Sequence, residues 1–128
     1  MLTLICGLPN AGKTTYSSRF KNVIHLDDIP RHGHQFKECD KKASAVVGDV
    51  CVEGVYNSVK ERKALIKACE HQSPKVCIWL DTDVNECVRR ENQYRKRTAG
   101  MVLSHHKSFQ PPTLEEGWDE IIIKKWQP

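Results

Sequence analysis

Gly7-Leu8-Pro9-Asn10-Ala11-Gly12-Lys13-Thr14 fits the pattern G-x-x-x-x-G-K-[ST] with every fixed position filled. Each fixed position has a chemical reason. The glycines let the backbone close around an anion so that successive N–H groups point inward. The lysine brings an ammonium to the β- and γ-phosphates of a nucleotide, and the following hydroxyl offers an oxygen ligand to Mg²⁺. The spacing predicts that Gly7, Pro9, Asn10, Ala11, Gly12, Lys13, Thr14 and Thr15 bind ATP and that Thr14 holds Mg²⁺. A second chemical set is the acidic pair Asp27-Asp28. A carboxylate beside a bound triphosphate can accept the proton of an attacking hydroxyl. Asp27 is expected in that role, with Asp28 capping the next turn or touching Mg²⁺ through water. A third set is the run of bases Arg89, Arg90, Arg95, Lys96 and Arg97, opposed by Glu91. Phosphoryl transfer calls for cations around the developing charge, so this stretch reads as a lid over about 89–100, with Arg95 facing the phosphates and Lys96 and Arg97 complementing a helix end.

These residues need elements to hold them. Leu2, Leu4, Ile5 and Cys6 form an apolar strand before the loop, and Thr14 to Lys21 can form a helix after it. Val23 to Leu26 is a second strand ending on the acidic pair, and Val50-Cys51-Val52 a third, closed by Glu53-Gly54. Ser58 is placed to cap a helix reaching about Gln72, with Leu65, Ile66 and Cys69 on its apolar stripe and Lys60, Arg62, Lys63 and Lys67 toward water. Val76 to Leu80 is the clearest buried strand. After Asp83 a helix is expected whose inward stripe runs from Val84, Cys87 and Val88 to Asn92 and Arg95. Glu120 to Trp126 suits a last strand, and the polar stretch from His32 to Gly48 suits a ragged helix over the crevice. Strands alternating with helices mean a parallel sheet covered on both faces, where ligands gather at the carboxyl ends of the strands. The fold class expected is therefore α/β, a three-layer P-loop sandwich with a central parallel sheet and a short helical lid.

At 128 residues the chain is expected to be one domain with little room for a separate substrate domain. Its formal net charge of +4 argues only weakly for a polyanionic partner. The six cysteines show no C-x-x-C pair and lie mostly among apolar residues, which reads as a reduced, cytoplasmic protein. No stretch suggests a signal peptide or membrane anchor. His32-x-His34, Cys39 and His105-His106 invite a metal reading, but no second ligand pair lies at a structural-zinc spacing.

Four patches carry a family resemblance: the loop Gly7 to Thr14, Leu26-Asp27-Asp28, Arg89 to Arg95, and Met101-Val102 followed by Phe109 to Trp118. Together they resemble the polynucleotide 5′-hydroxyl kinases, a family of P-loop kinases. The resemblance implies that Asp27 is the general base and that Asn92 and Arg95 reproduce a lid asparagine followed three residues later by its arginine. It also implies that Arg31 meets a substrate phosphate. Where the family has Asp-x-Thr-Asn followed by an arginine, this chain reads Glu53-Gly54-Val55-Tyr56-Asn57 with Arg62 further on, so Asn57 and Arg62 fit and Glu53 stands where a metal-binding carboxylate would be. The implied sets are Lys13, Asp27 and Arg95 for catalysis, Asn92 beside the loop for ATP, Asp28, Arg31, Asn57 and Arg62 for substrate, and Thr14 with Glu53 as a further candidate for Mg²⁺. The implied acceptor is the 5′-hydroxyl of a polynucleotide or oligonucleotide. A kinase for a small alcohol (nucleoside, sugar or antibiotic) and a nucleotide-binding module without transfer activity remain open beside it. On any of these readings Lys13→Ala should weaken ATP binding while leaving the circular-dichroism spectrum unchanged, and an ATP affinity equal to wild type by calorimetry would remove the phosphate-loop assignment.

Overall fold

The computed structural model describes residues 1–95 and 100–127, with the backbone alone described at residues 94 and 95. Five strands, β1 (Leu2–Cys6), β2 (Val23–His25), β3 (Val50–Glu53), β4 (Lys75–Asp81) and β5 (Glu120–Lys125), alternate with helices α1 (Lys13–Ser17), α2 (Gln35–Ser44), α3 (Val59–Ala68), α4 (Val84–Arg90) and α5 (Gly100–Ser108). The strands lie side by side in the order β2-β3-β1-β4-β5. Every neighbouring pair is parallel. The chain moves to one side of β1 for β2 and β3 and to the other for β4 and β5, so the order reverses at the end of β1. That is the crevice of an open parallel sheet where ligands bind, and the Gly7–Thr14 loop leaves β1 into it.

Because successive strand residues point to opposite faces, each central strand feeds two cores. Leu2, Leu4, Cys6, Val50, Val52 and Cys77 pack on one face with Leu26, Ile29, Cys39, Ala43, Leu65, Cys69 and Trp118. Ile5, Cys51 and Ile78 pack on the other with Leu8, Ala11, Cys87 and Val102, joined by the partly buried Tyr16, Phe20, Val84 and Val88. All six cysteines are free thiols in these layers and all are buried. Burial pushes the thiols of Cys39, Cys69 and Cys87 up to about 11 and that of Cys51 to about 12. Cys6 and Cys77 face one another across β1 and β4 with their sulfurs 3.7 Å apart.

Element boundaries differ from expectation in ways that matter for the crevice. The first helix stops at Ser17 and the chain continues in tighter turns to Phe20. The third strand runs one residue further than read, placing Glu53 inside the sheet with 4% exposure. Ser58 caps α3 as expected, in a reciprocal capping box with Glu61, although the helix ends at Ala68. The inward stripe of α4 does not continue to Asn92. A π-helical turn, Glu91–Arg95, follows the helix, with Glu91 fully buried and Asn92 exposed. Gly100, read as the end of the lid, opens α5.

Arg62 departs most from the reading. It was expected to face water or a substrate, and it is 0% exposed. Its Nε and Nη2 donate to the two oxygens of Glu116 at 2.8 and 3.1 Å, and Nη1 donates to the Tyr56 carbonyl at 2.8 Å. Burial pulls the Glu116 carboxyl up, but the Arg62 guanidinium, the Thr113 N–H and the Trp118 indole N–H more than reverse this and hold it below the ordinary carboxylate range. The bidentate pair ties α3 and the loop after β3 to the turn before β5. Removing one partner of a buried ion pair strands the other charge. Arg62→Ala should therefore lower the unfolding free energy by roughly 3–5 kcal/mol in urea titrations, and a loss below about 1 kcal/mol would show that the pair is not structural.

Candidate active site

The Gly7–Thr14 loop takes its shape from close backbone approach. A Cβ on Gly7 would lie 2.8 Å from the Leu80 carbonyl oxygen and 3.2 Å from the Ala11 Cβ, so any side chain there would push β1 and β4 apart. Asn10 and Gly12 adopt positive φ of 68° and 101° to turn the backbone into α1. The loop is clamped from the β4 side: the Thr82 hydroxyl donates to the Ala11 carbonyl at 2.8 Å, and the Asn10 amide donates to buried Glu91 at 3.1 Å. Lys13, at the first position of α1, is 9% exposed. Its ammonium donates to the carbonyls of Gly7 at 3.1 Å and Leu8 at 2.8 Å. Burial lowers its pKa from the ordinary lysine value, and the negative charges of Glu53 and Asp27 oppose that shift.

The neighbouring strands supply the acids. Glu53 ends β3 with one carboxylate oxygen 2.8 Å from His25 Nδ1, and the Thr14 hydroxyl donates to the same oxygen at 3.3 Å. A buried carboxylate beside the loop hydroxyl is a hard oxygen donor set of the kind that, with substrate phosphates, suits Mg²⁺. Among the described residues no three His, Cys, Asp or Glu side chains cluster as a self-sufficient metal site. Asp27 sits in the 3-10 turn Leu26–Asp28 after β2 and lines a cavity of about 590 Å³ together with Lys13, Thr14 and Glu53. Asp28, next in that turn, is exposed and does not line the cavity. Arg31 does line it, and among the described residues its guanidinium has the Met101 sulfur at 3.9 Å as neighbour and no carboxylate at ion-pair distance.

Of the residues singled out in the sequence, Pro9, Asn10, Gly12, Lys13, Thr14, Thr15, Asp27, Arg31, Glu53 and Asn57 surround this one cavity. Gly7, Ala11, Arg62, Asp28 and Asn92 do not. Arg62 is consumed by Glu116, Asp28 turns outward, and Asn92 is exposed within the π-helical turn. The Arg95 side chain, Lys96 and Arg97 lie outside the described residues. Arg90, read only as one base of the lid run and not assigned to the site, also lines the cavity. Its Nη1 donates to the Asn10 carbonyl at 2.8 Å and its Nε to Glu86 at 2.6 Å. Hydrogen bonds from Arg89, and those from Arg90 against the upward pull of burial, hold the Glu86 carboxyl at about 2. The signal was present: Glu86 lies four residues before Arg90, a pairing that fixes an arginine on a helix face. Also missed were Met101 and His105 on α5, which line the same cavity.

No protein-family model matches the chain, and no curated protein matches it by sequence. Solved structures do match it by shape. A gluconokinase from Sinorhizobium meliloti 1021 superposes with a TM-score of 0.77 at 10% identity, covering 98% of this chain and 83% of that one. Chaetomium thermophilum Kti12 in complex with ADP-AlF3 gives 0.70 at 14% identity over 98% of this chain and 89% of that one. Mycobacterium tuberculosis APS kinase CysC in complex with AMPPNP and APS gives 0.62 at 16% identity over 95% and 87%.

If Arg90 holds the loop and lends its charge to bound phosphates, Arg90→Ala should raise the ATP dissociation constant roughly tenfold or more, the scale of a charged hydrogen bond. Calorimetry with wild type, Arg90→Ala and Arg90→Lys checks this, with unchanged affinity in the alanine variant as the contrary result. At these identities the likeness is one of fold: a five-stranded parallel sheet flanked by helices, shared with these three proteins.

Proposed function

We propose that the chain is an ATP-dependent phosphotransferase with a hydroxyl acceptor, built as one kinase domain over 1–128 with a lid at about 89–100. One observation carries the reading: Lys13 and Thr14 of the phosphate-binding loop share a single cavity with the carboxylate of Asp27, and the guanidinium of Arg31 reaches the same space. A nucleotide-binding module needs the first two groups. A carboxylate facing the phosphate site is what transfer to a hydroxyl adds.

On this reading the loop N–H groups, Lys13 and Arg90 stabilise charge on the γ-phosphoryl, and Asp27 takes the proton of the attacking hydroxyl. The resemblance supports Arg95 as a further lid group. Thr14 and Glu53 would hold Mg²⁺, which would supply positive charge to neutralise that developing on the transferred phosphoryl group. The acceptor side is bounded by Arg31, Asn57 and α5, and this supports a small hydroxylated acceptor. The shared fold with proteins named gluconokinase and APS kinase supports it as well. The polynucleotide 5′-hydroxyl reading keeps one observation of its own, the cavity-facing Arg31 with no carboxylate partner among the described residues, which could meet a backbone phosphate.

Two measurements test the proposal. Loss of a general base costs about a hundred- to ten-thousand-fold in rate, so Asp27→Asn should lose transfer of labelled γ-phosphate yet bind ATP, while Asp28→Asn stays near wild type. Equal small effects would leave the binding-module reading. With a nucleic-acid acceptor, the acceptor Michaelis constant should climb steeply with salt, and Arg31→Ala should flatten that slope. A flat response selects the small acceptor.

A further inference from the structure

Helix α5 brings a histidine to the acceptor side of the cavity. Val102 is fully buried in the core beneath the helix, and this sets its rotation so that Met101 and His105, four residues apart, border the cavity. His105 is then oriented by a residue from the far side of the sheet. The Asn57 amide nitrogen lies 3.1 Å from His105 Nδ1 and 3.0 Å from the Ser108 hydroxyl oxygen. Asn57 is itself fixed, because its carbonyl accepts from the Gln110 N–H at 2.8 Å and the Gln110 side chain accepts from the Val59 N–H at 2.9 Å.

This contact selects a tautomer. An amide nitrogen has only hydrogens to offer, so Nδ1 must accept and the ring proton of a neutral imidazole must sit on Nε2. Burial lowers the His105 pKa below the ordinary histidine value, and the positive charges of Lys13 and Arg31 lower it further, against the opposing pull of Glu61 and Asp27. Among the described residues Nε2 has no hydrogen-bond partner, which leaves one oriented N–H donor at the wall of the cavity that also holds Asp27.

We propose that His105 is an acceptor-binding residue: fixed by Asn57, it donates its Nε2–H to a second oxygen of the acceptor and so selects a compact, oxygen-rich molecule, a polyol or hydroxy acid, whose reacting hydroxyl lies at Asp27. This rests on the kinase reading above and assigns the acceptor side of the same cavity. Arg31 divides the two members of the class, since a hydroxy acid would use its charge and a neutral polyol would not.

The experiment has two arms. In the first, wild type, His105→Leu and His105→Gln are assayed with labelled Mg-ATP against glycerol, a hexose, a hexonic acid, a nucleoside and a 5′-hydroxyl oligonucleotide. Glutamine can place an amide N–H near the position of Nε2, so the expected result is a roughly tenfold rise in acceptor Michaelis constant for His105→Leu, largely recovered in His105→Gln, with the ATP constant and kcat within twofold of wild type. An acceptor constant indifferent to His105→Leu, a matching change in the ATP constant, or preference for the oligonucleotide overturns the inference. In the second, ¹⁵N-histidine NMR of the wild-type protein at pH 7 should find His105 neutral with its proton on Nε2, moving toward mixed tautomers in Asn57→Ala. A charged ring or an Nδ1–H tautomer overturns the inference even if no compound takes label. Absence of label from every compound alongside the expected tautomer would instead count against the kinase reading, and with it against the acceptor role.

Discussion

The Lys13 ammonium is the group that the crevice is built around. A charge removed from water costs several kcal/mol unless nearby groups replace its hydration, and here the replacements are two carbonyls of the loop itself together with the field of Glu53 and Asp27. Those carbonyls can turn toward the lysine only if the loop doubles back over the end of β1. This requires the bare Cα of Gly7 against Leu80 and the left-handed turns at Asn10 and Gly12. The clamps from Thr82, Glu91 and Arg90 hold that shape from the β4 side. Acids at the ends of β2 and β3 are thus part of the electrostatic environment of one lysine as well as candidates for chemistry.

What could be read from the sequence follows how far apart the cooperating residues lie. The Gly7–Thr14 loop is contiguous, its strand and helix flank it directly, and the Ser58 cap adjoins the helix α3 that it starts, so these local features were legible. The parallel sheet followed from alternation alone. Arg62 was misread because a guanidinium in a run of lysines looks solvated until Glu116, 54 residues away, is known to accept it twice. Glu53 was placed at the strand end but not seen as buried, since that depends on His25 and Thr14 closing over it. Helix α5 left little trace because only Val102 of its nine residues is buried, too few for an apolar stripe. Asn92 was extrapolated along a regular helix, and the π-helical turn ended the regularity.

The Arg62–Glu116 pair also separates family resemblance from local role. Asn57 and Arg62 were matched together as neighbours of the same strand end, yet Asn57 borders the cavity while Arg62 runs through the core behind it. The Tyr56 carbonyl held by Arg62 lies directly before Asn57 in the chain, so the ion pair steadies the backbone that carries Asn57. Arg62 can therefore influence the site through position without touching anything bound there.

The six buried thiols give this molecule a built-in reporter of its own opening. Exchange with a disulfide reagent requires a thiolate in contact with the reagent, and the buried thiols whose pKa is raised to about 11 or 12 meet neither condition in the closed fold. Labelling must then wait for local or global unfolding, so the rate at each cysteine measures the free energy of the opening that exposes it. Cys6, Cys39, Cys69 and Cys77 lie in the core layer on one face of the sheet, and Cys51 and Cys87 in the layer on the other. Site-resolved mass spectrometry of the labelled chain would show whether the two layers open together, and whether a nucleotide bound at one end of the sheet slows exchange on both.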